Sequence, residues 1–558
     1  MMLTPSRTPR IRALVRAVAV LLVPGLVSIP RMAMPQATPV RQADAACARC
    51  HGDIYRRYLG TPMANASGLA TDNLKADTFV HKPSGVTYSI SAPDGKATLT
   101  YRDTSQSSAG GVQTLSYFLG SGHLGVTYLY SIDHYLFESP VAWYAASRSY
   151  DMKPGLAEMR ERPPALPMQS SCMRCHMSAV QPSDDGTINR YAGLPFLHSG
   201  ITCEACHGDS EPHVRTEGKA SIVNPARLDA GRRDSVCISC HLEGDVSVER
   251  AGKSALNYRP GDSISTYVDY YVYGGANLSA RGVSEVEQLS QSTCKRASGD
   301  KMSCTSCHDP HYTPGPEKRT AFFRSRCLAC HAEPEFAASH HRENQDCTSC
   351  HMPRTGAENI PHVAWTDHRI LRLPAKDLKV QAHDPAPNEL KPIFSPATTK
   401  RDLAMAYYQV TLEGSRSFEP AAWEELTAQK DLIANDREAL DALGNISAER
   451  GDGQTAEWSF RRVLEVDPAD LTALSNLGIL LAKQGKPDEA IALLSAAFDR
   501  NRDISGLAMN LARIECMAGQ GASAQATLQA TLVYNPNLSE VQRLLNQMTG
   551  CGSSGGKQ

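Results

Sequence analysis

The chain has 558 residues, room for two to four domains, and a net charge of −2. Neither charge nor composition favours nucleic acid as a partner. Of 17 cysteines, all but Cys294, Cys516 and Cys551 fall into one repeated pattern, so too few remain, too scattered, for a disulfide framework.

In chain order, residues 1–33 read as a secretory signal peptide. Arg7, Arg10, Arg12 and Arg16 precede an apolar run, Ala17 to Ile29, that is too short to span a bilayer comfortably, and small residues follow around Ala33 and Ala37. An uncleaved anchor is the alternative and the one route to membrane association. Cleavage removes Arg7, Arg10, Arg12, Arg16 and Arg31 and no acid, taking the net charge from −2 to about −7. Residues 34–46 read as a tether.

The sequence Cys-x-x-Cys-His then occurs seven times: Cys47, Cys50 and His51; Cys172, Cys175 and His176; Cys203, Cys206 and His207; Cys237, Cys240 and His241; Cys304, Cys307 and His308; Cys327, Cys330 and His331; Cys347, Cys350 and His351. Two cysteines at this spacing can form thioethers with the two vinyl groups of one haem, and the adjacent His ligates its iron. Zinc sites built from Cys-x-x-Cys pairs give no reason for a His after every second Cys. Seven covalent c-type haems are expected. Such attachment is completed outside the cytoplasm, in agreement with the leader, and 14 propionates would make the holoprotein strongly acidic.

Between the first two motifs, β-branched and aromatic runs at Val86–Ser91, Ala97–Arg102, Val126–Ile132 and Val141–Ser147 predict a small β-rich subdomain over about residues 80–150, with turns at Asp94-Gly95 and Gly110-Gly111. Its aromatic residues are expected to form its core. From Cys172 onward the connections are polar and rich in Gly and Pro, so haem faces must substitute for side-chain core; Glu285–Gln291 and Arg326–His331 are candidate helical pieces. The haem domain is bounded at 44–370, and a Pro-rich linker follows at 371–398.

Residues 399–545 have a period of 34: Leu443, Leu477 and Leu511; Gly451, Gly485 and Gly519; Ala456, Ala490 and Ala524; Phe460, Leu494 and Leu528. This is the tetratricopeptide pattern, with a degenerate first repeat at Asp402 to Leu432 and a flexible tail at 546–558. A solenoid offers a concave face to a protein partner; capping or dimerising the haem domain is the alternative. The expected fold class is mostly α with extensive irregular structure: a multihaem cytochrome c domain with a β-rich subdomain, then an α-helical solenoid.

Eighteen histidines leave 11 beyond the seven motifs, enough for a second imidazole at every iron. His311 is only three residues after His308, too short a tether to turn round its own porphyrin, so it is expected to ligate a neighbouring haem. His123, His213, His362 and His368 are the other first choices, then His81 and His340, with His198 and His341 as substitutes. His134 and His383 fit structural imidazoles, and Cys294 a packed thiol.

Cys203-Glu-Ala-Cys-His-Gly208 with His213, Cys304-Thr-Ser-Cys-His-Asp-Pro-His311, Cys347-Thr-Ser-Cys-His-Met-Pro353 followed by His362 and His368, and Gly120-Ser-Gly-His123 resemble multihaem cytochromes related to the tetrahaem electron carrier of ammonia oxidation, in the variety fused to tetratricopeptide repeats. The resemblance covers roughly residues 44–370. It implies closely stacked haem pairs, a periplasmic electron-transfer role and the distal ligands above. Pentahaem nitrite reductases belong to the same wider group, but no Cys-x-x-Cys-Lys site is present here. The expected function is therefore an extracytoplasmic electron carrier, mostly bis-His, that meets redox partners through its repeats, with no catalytic residue assigned. The alternative is an oxidoreductase acting on a small nitrogen or sulfur species at one open haem, for which the second motif has the least obvious second ligand.

Overall fold

The computed structural model describes residues 37–103, 110–274, 283–333, 344–356, 364–372, 389–394, 398–536, 538–548 and 551. The predicted leader, His340, His341, His362 and His383 lie outside them.

The β-rich region is larger than expected. Ten strands between Ser67 and Pro167 join one antiparallel sheet, whose main path runs Ser149–Met152, Val141–Tyr144, Gly125–Ile132, Gly110–Leu119, Thr98–Asp103, Val86–Ser91, Asp77–His81. Alternation decides what each strand buries: Val86, Tyr88 and Ile90 point inward from one strand, Leu99 and Tyr101 from the next. The aromatic residues are core, as expected. Tyr88, Tyr128 and Phe137 are fully buried, and the Tyr128 hydroxyl donates to the Asn73 carbonyl at 3.0 Å.

Two boundaries differ from expectation. Gly110-Gly111 is not a turn but opens the strand Gly110–Leu119, where any Cβ on Gly111 would collide with the Tyr101 ring. The run Val141 to Ser147 breaks at a hairpin into Val141–Tyr144 and Ser149–Met152, with Arg148 at φ 52°.

The expected tether is docked. Ala37 and Val40 are buried, and Thr38–Pro39 pairs in parallel with Phe196–Ser199. Part of the expected linker is also ordered: Leu390–Pro392 pairs with Val268–Tyr273, because Leu390 fills a core with Val246, Tyr271 and Ala404. Glu285–Gln291 is a helix as read; of Arg326–His331 only Arg326–Leu328 is helical, as the end of a longer helix, Pro316–Leu328, and the remainder is turn.

Among the described residues, nine α-helices from Lys400–Leu412 to Ser539–Gln547 build the solenoid. Gly451, Gly485 and Gly519 follow the first helices of their repeats at φ 82°, 79° and 78°, the left-handed stop that glycine adopts without a Cβ penalty. Gly444 admits the Phe460 ring and Gly478 the Leu494 side chain, so paired helices meet closely.

The solenoid is mounted on the rest of the chain by the loops between its repeats. The Tyr135 hydroxyl donates to the Arg500 carbonyl (2.6 Å), the Asn501 amide to the Gly186 carbonyl (2.8 Å), and the Ala165 N–H to Asn535 Oδ1 (2.7 Å). At the first repeat Arg250 pairs with Asp402 at 2.8 Å.

The cysteines outside the motifs are not all unpaired. Cys516 and Cys551 form a disulfide, which corrects the reading that cysteine serves attachment alone.

Candidate functional site

The motifs ride on short helices, Ala45–Tyr58 with a kink at His51, Ser170–Met173, Glu204–His207, Ala230–His241, Cys304–Cys307, the end of Pro316–Leu328, and Cys347–His351. One helical turn puts the two cysteines and the histidine of a motif on adjoining sides of a single site. None of the 14 motif cysteines is in a disulfide among the described residues, and all are intermediate or exposed.

Among the described residues, three motif histidines face a second imidazole. His51 and His213 have ring centres 6.4 Å apart with planes at 15°; His207 and His311 stand at 6.0 Å and 9°; His308 and His368 at 6.3 Å and 27°. Two imidazoles on opposite sides of one metal, each bound at roughly 2 Å, have ring centres about 6 Å apart. The residues fit a haem iron between them. His311 lies against His207 of the third motif, not against its own His308.

Orientation follows the same logic. His207 Nδ1 donates to the Val223 carbonyl (2.8 Å), His213 Nδ1 to Ala220 (2.8 Å), His351 Nδ1 to Leu371 (2.5 Å) and His368 Nδ1 to Thr366 (2.8 Å). Each bond fixes the ring and leaves Nε2 for a metal. Burial disfavours the charged form of three other imidazoles: it pushes His308 down to about 4, and lowers His176 and His311.

The motifs themselves interlock. The thiols of Cys47 and Cys203 meet beside Asp44, all within 4.8 Å, and Cys175 meets Cys240, Cys304 meets Cys237, and Cys327 meets Cys347. The Asp44, Cys47, Cys203 group has metal-binding donors, but haem attachment would turn both sulfurs into thioethers, neutral and weaker donors than thiolates. Asp44 accepts the Cys203 N–H at 3.0 Å and locks the first motif to the third.

Among the other choices, His81 has both ring nitrogens engaged by the protein. It is buried on a strand, its Nε2 2.9 Å from the Ala157 carbonyl and its Nδ1 2.7 Å from Ser84 Oγ, so neither nitrogen is free for iron. His123 is exposed and lines a cavity of about 430 Å³ with Asn73 and Ser199. His134 stands at an exposed hairpin tip with φ 70°. His198 Nδ1 is buried without a hydrogen-bond partner among the described residues. His340 and His362 lie outside those residues, and no second imidazole pairs with His176 or His241 within them.

Family models match in three places: the cytochrome c554 and c-prime model over residues 143–208, the doubled CXXCH motif over 297–336, and the tetratricopeptide repeat over 447–508 and 481–548. The chain is a c-type cytochrome with tetratricopeptide repeats. Covalently bound haem c is thereby indicated, and with it a haem electron-transfer protein carrying a protein-interaction module. No curated protein matches the cytochrome. Solved structures similar to it include MamA 41-end from Desulfovibrio magneticus RS-1 (22% identity, 28% of this chain and 86% of that one, TM-score 0.25) and pilF of Pseudomonas aeruginosa (22%, 29% and 80%, 0.23).

Sequence reasoning missed the carbonyls of Ala220, Val223, Thr366 and Leu371, which carry no side-chain signal. It also missed Asp44, whose one clue is its place three residues before Cys47.

Proposed function

We propose that the cytochrome is an extracytoplasmic electron carrier with seven haems, mostly bis-His, and a solenoid that docks redox partners. The three imidazole pairs at about 6 Å carry this reading. When bound, the haems supply one-electron chemistry. The chain's own part is to hold the attachment points in contact, through Cys47 with Cys203, Cys175 with Cys240, and Cys237 with Cys304, and to fill sixth positions with His213, His311 and His368. The Cys516–Cys551 disulfide and the leader composition support an oxidising compartment. Because the inter-repeat loops are occupied by the haem module, the concave face is the surface proposed for partners.

The second reading, an oxidoreductase for a small nitrogen or sulfur species, rests on His176 and His241, which have no paired imidazole among the described residues. Haem quantification and electron paramagnetic resonance test both. Seven low-spin haems per chain, with His311→Ala converting one to a high-spin form that binds carbon monoxide, are expected. A parent protein that already binds nitrite at one haem and turns it over would favour the enzyme, and fewer than six haems would refute the sevenfold count.

A further inference from the structure

The arginines of the solenoid are mostly spent on carboxylates: Arg416 on Glu449, Arg450 on Glu419, Arg461 on Glu457, Arg502 on Asp499. With 14 Lys/Arg against 21 Asp/Glu over residues 398–548, that module is acidic. The polypeptide around the fifth and sixth motifs is the reverse, with seven Lys/Arg against four Asp/Glu from Ser292 to Glu333 before haem propionates are counted. On the helix Pro316–Leu328, Lys318 and Arg319 are exposed, and neither has a carboxylate partner among the described residues. Arg319 instead stacks over Phe323, 5.4 Å from the ring centre; Phe323 is edge-on to His308 at 5.8 Å, and His308 faces His368. A continuous series of side chains thus runs from an unpaired surface cation to a paired imidazole. Cys330 and His331 of the next motif are exposed at the end of the same helix.

We infer that the outer face of Pro316–Leu328 is the docking surface for an acidic electron-carrier protein. The inference rests on the electron-carrier reading and adds a second docking place, distinct from the concave face of the solenoid, together with the charge of the partner that uses it. Two unpaired cations at an exposed end of the motif series draw an anionic partner and orient it before contact, an effect that salt screens.

Two anionic probes test this on the haem-loaded protein. Redox-inert hexacyanochromate(III) should broaden amide resonances of residues 316–331 first. Ferricyanide takes one electron from the reduced protein to become ferrocyanide, and its rate should fall about 5- to 10-fold at low salt in Lys318→Glu/Arg319→Glu. The loss should vanish at high salt. A cationic cobalt(III) oxidant should react no more slowly, haem content should be unchanged, and Lys486→Glu on the solenoid should behave like the parent. Broadening centred elsewhere, or a double variant with parental ferricyanide kinetics, overturns the surface. A parent without c-type absorption bands would instead refute the carrier reading itself.

Discussion

Between Tyr271 and Leu390 no described apolar side chain is buried, although three attachment motifs lie there. In the solenoid Ala456, Phe460, Ala490, Leu494, Ala524 and Leu528 are all at 0% exposure. The repeats hold their core in their own side chains and stack it periodically. The motif-dense stretch has a framework of hydrogen bonds, such as Asp367 with Arg369 at 2.6 Å, but its apolar filling must come from porphyrin faces. Regularity of sequence and regularity of structure therefore coincide in one region and part in the other.

The sharpest way to break this contrast is to withhold haem. Made without its leader or in a host that cannot attach haem, the chain should keep solenoid helicity while residues 292–372 become protease-sensitive within minutes. Loaded protein should resist there, and hydrogen exchange would read both. Protection of 292–372 without haem would end the comparison. A smaller effect comes from inside the repeats: Phe460→Ala should cost about 3–5 kcal/mol of solenoid stability by thermal unfolding and leave haem spectra alone. Cys516→Ser, which opens the Cys516–Cys551 closure, should cost about 2–4 kcal/mol.

The smallest effect is set by pH. Burial pushes the Asp503 carboxyl, in an inter-repeat loop, up to about 6, against about 3.9 when unfolded. The folded state disfavours its ionised form, so stability is fully present below about pH 4 and is lost as pH rises through 6. The melting temperature should fall by about 2–4 °C from pH 5 to 7.5, and Asp503→Asn should remove that slope.

The contrast also governs what sequence alone could reveal. The seven motifs were legible because thioether chemistry needs its residues contiguous, and the 34-residue period because stacked repeats reuse one packing solution. His213, His311 and His368 could be picked out, yet the motifs that His213 and His368 face could not, since those pairs join distant segments. The burial of His81 was hidden because strand alternation, which a lone histidine does not announce, turns it inward. Leu390–Pro392 was read as linker because Pro-rich composition hides a strand that forms only against Val268–Tyr273.

The imidazoles facing His51, His207 and His308 come from behind the third, fifth and seventh motifs in turn. A chain that crosses a membrane N-terminus first meets these events in a fixed order. On this pairing, a centre attached at Cys47 and Cys50 keeps one side bare until two further motifs have emerged, and the centre at Cys304 and Cys307 is closed only after the last. Under the proposed export and haem attachment, these three sites would close in a staggered order, each by a residue exported after it, and a chain halted part-way would leave a site open to whatever small molecules surround it.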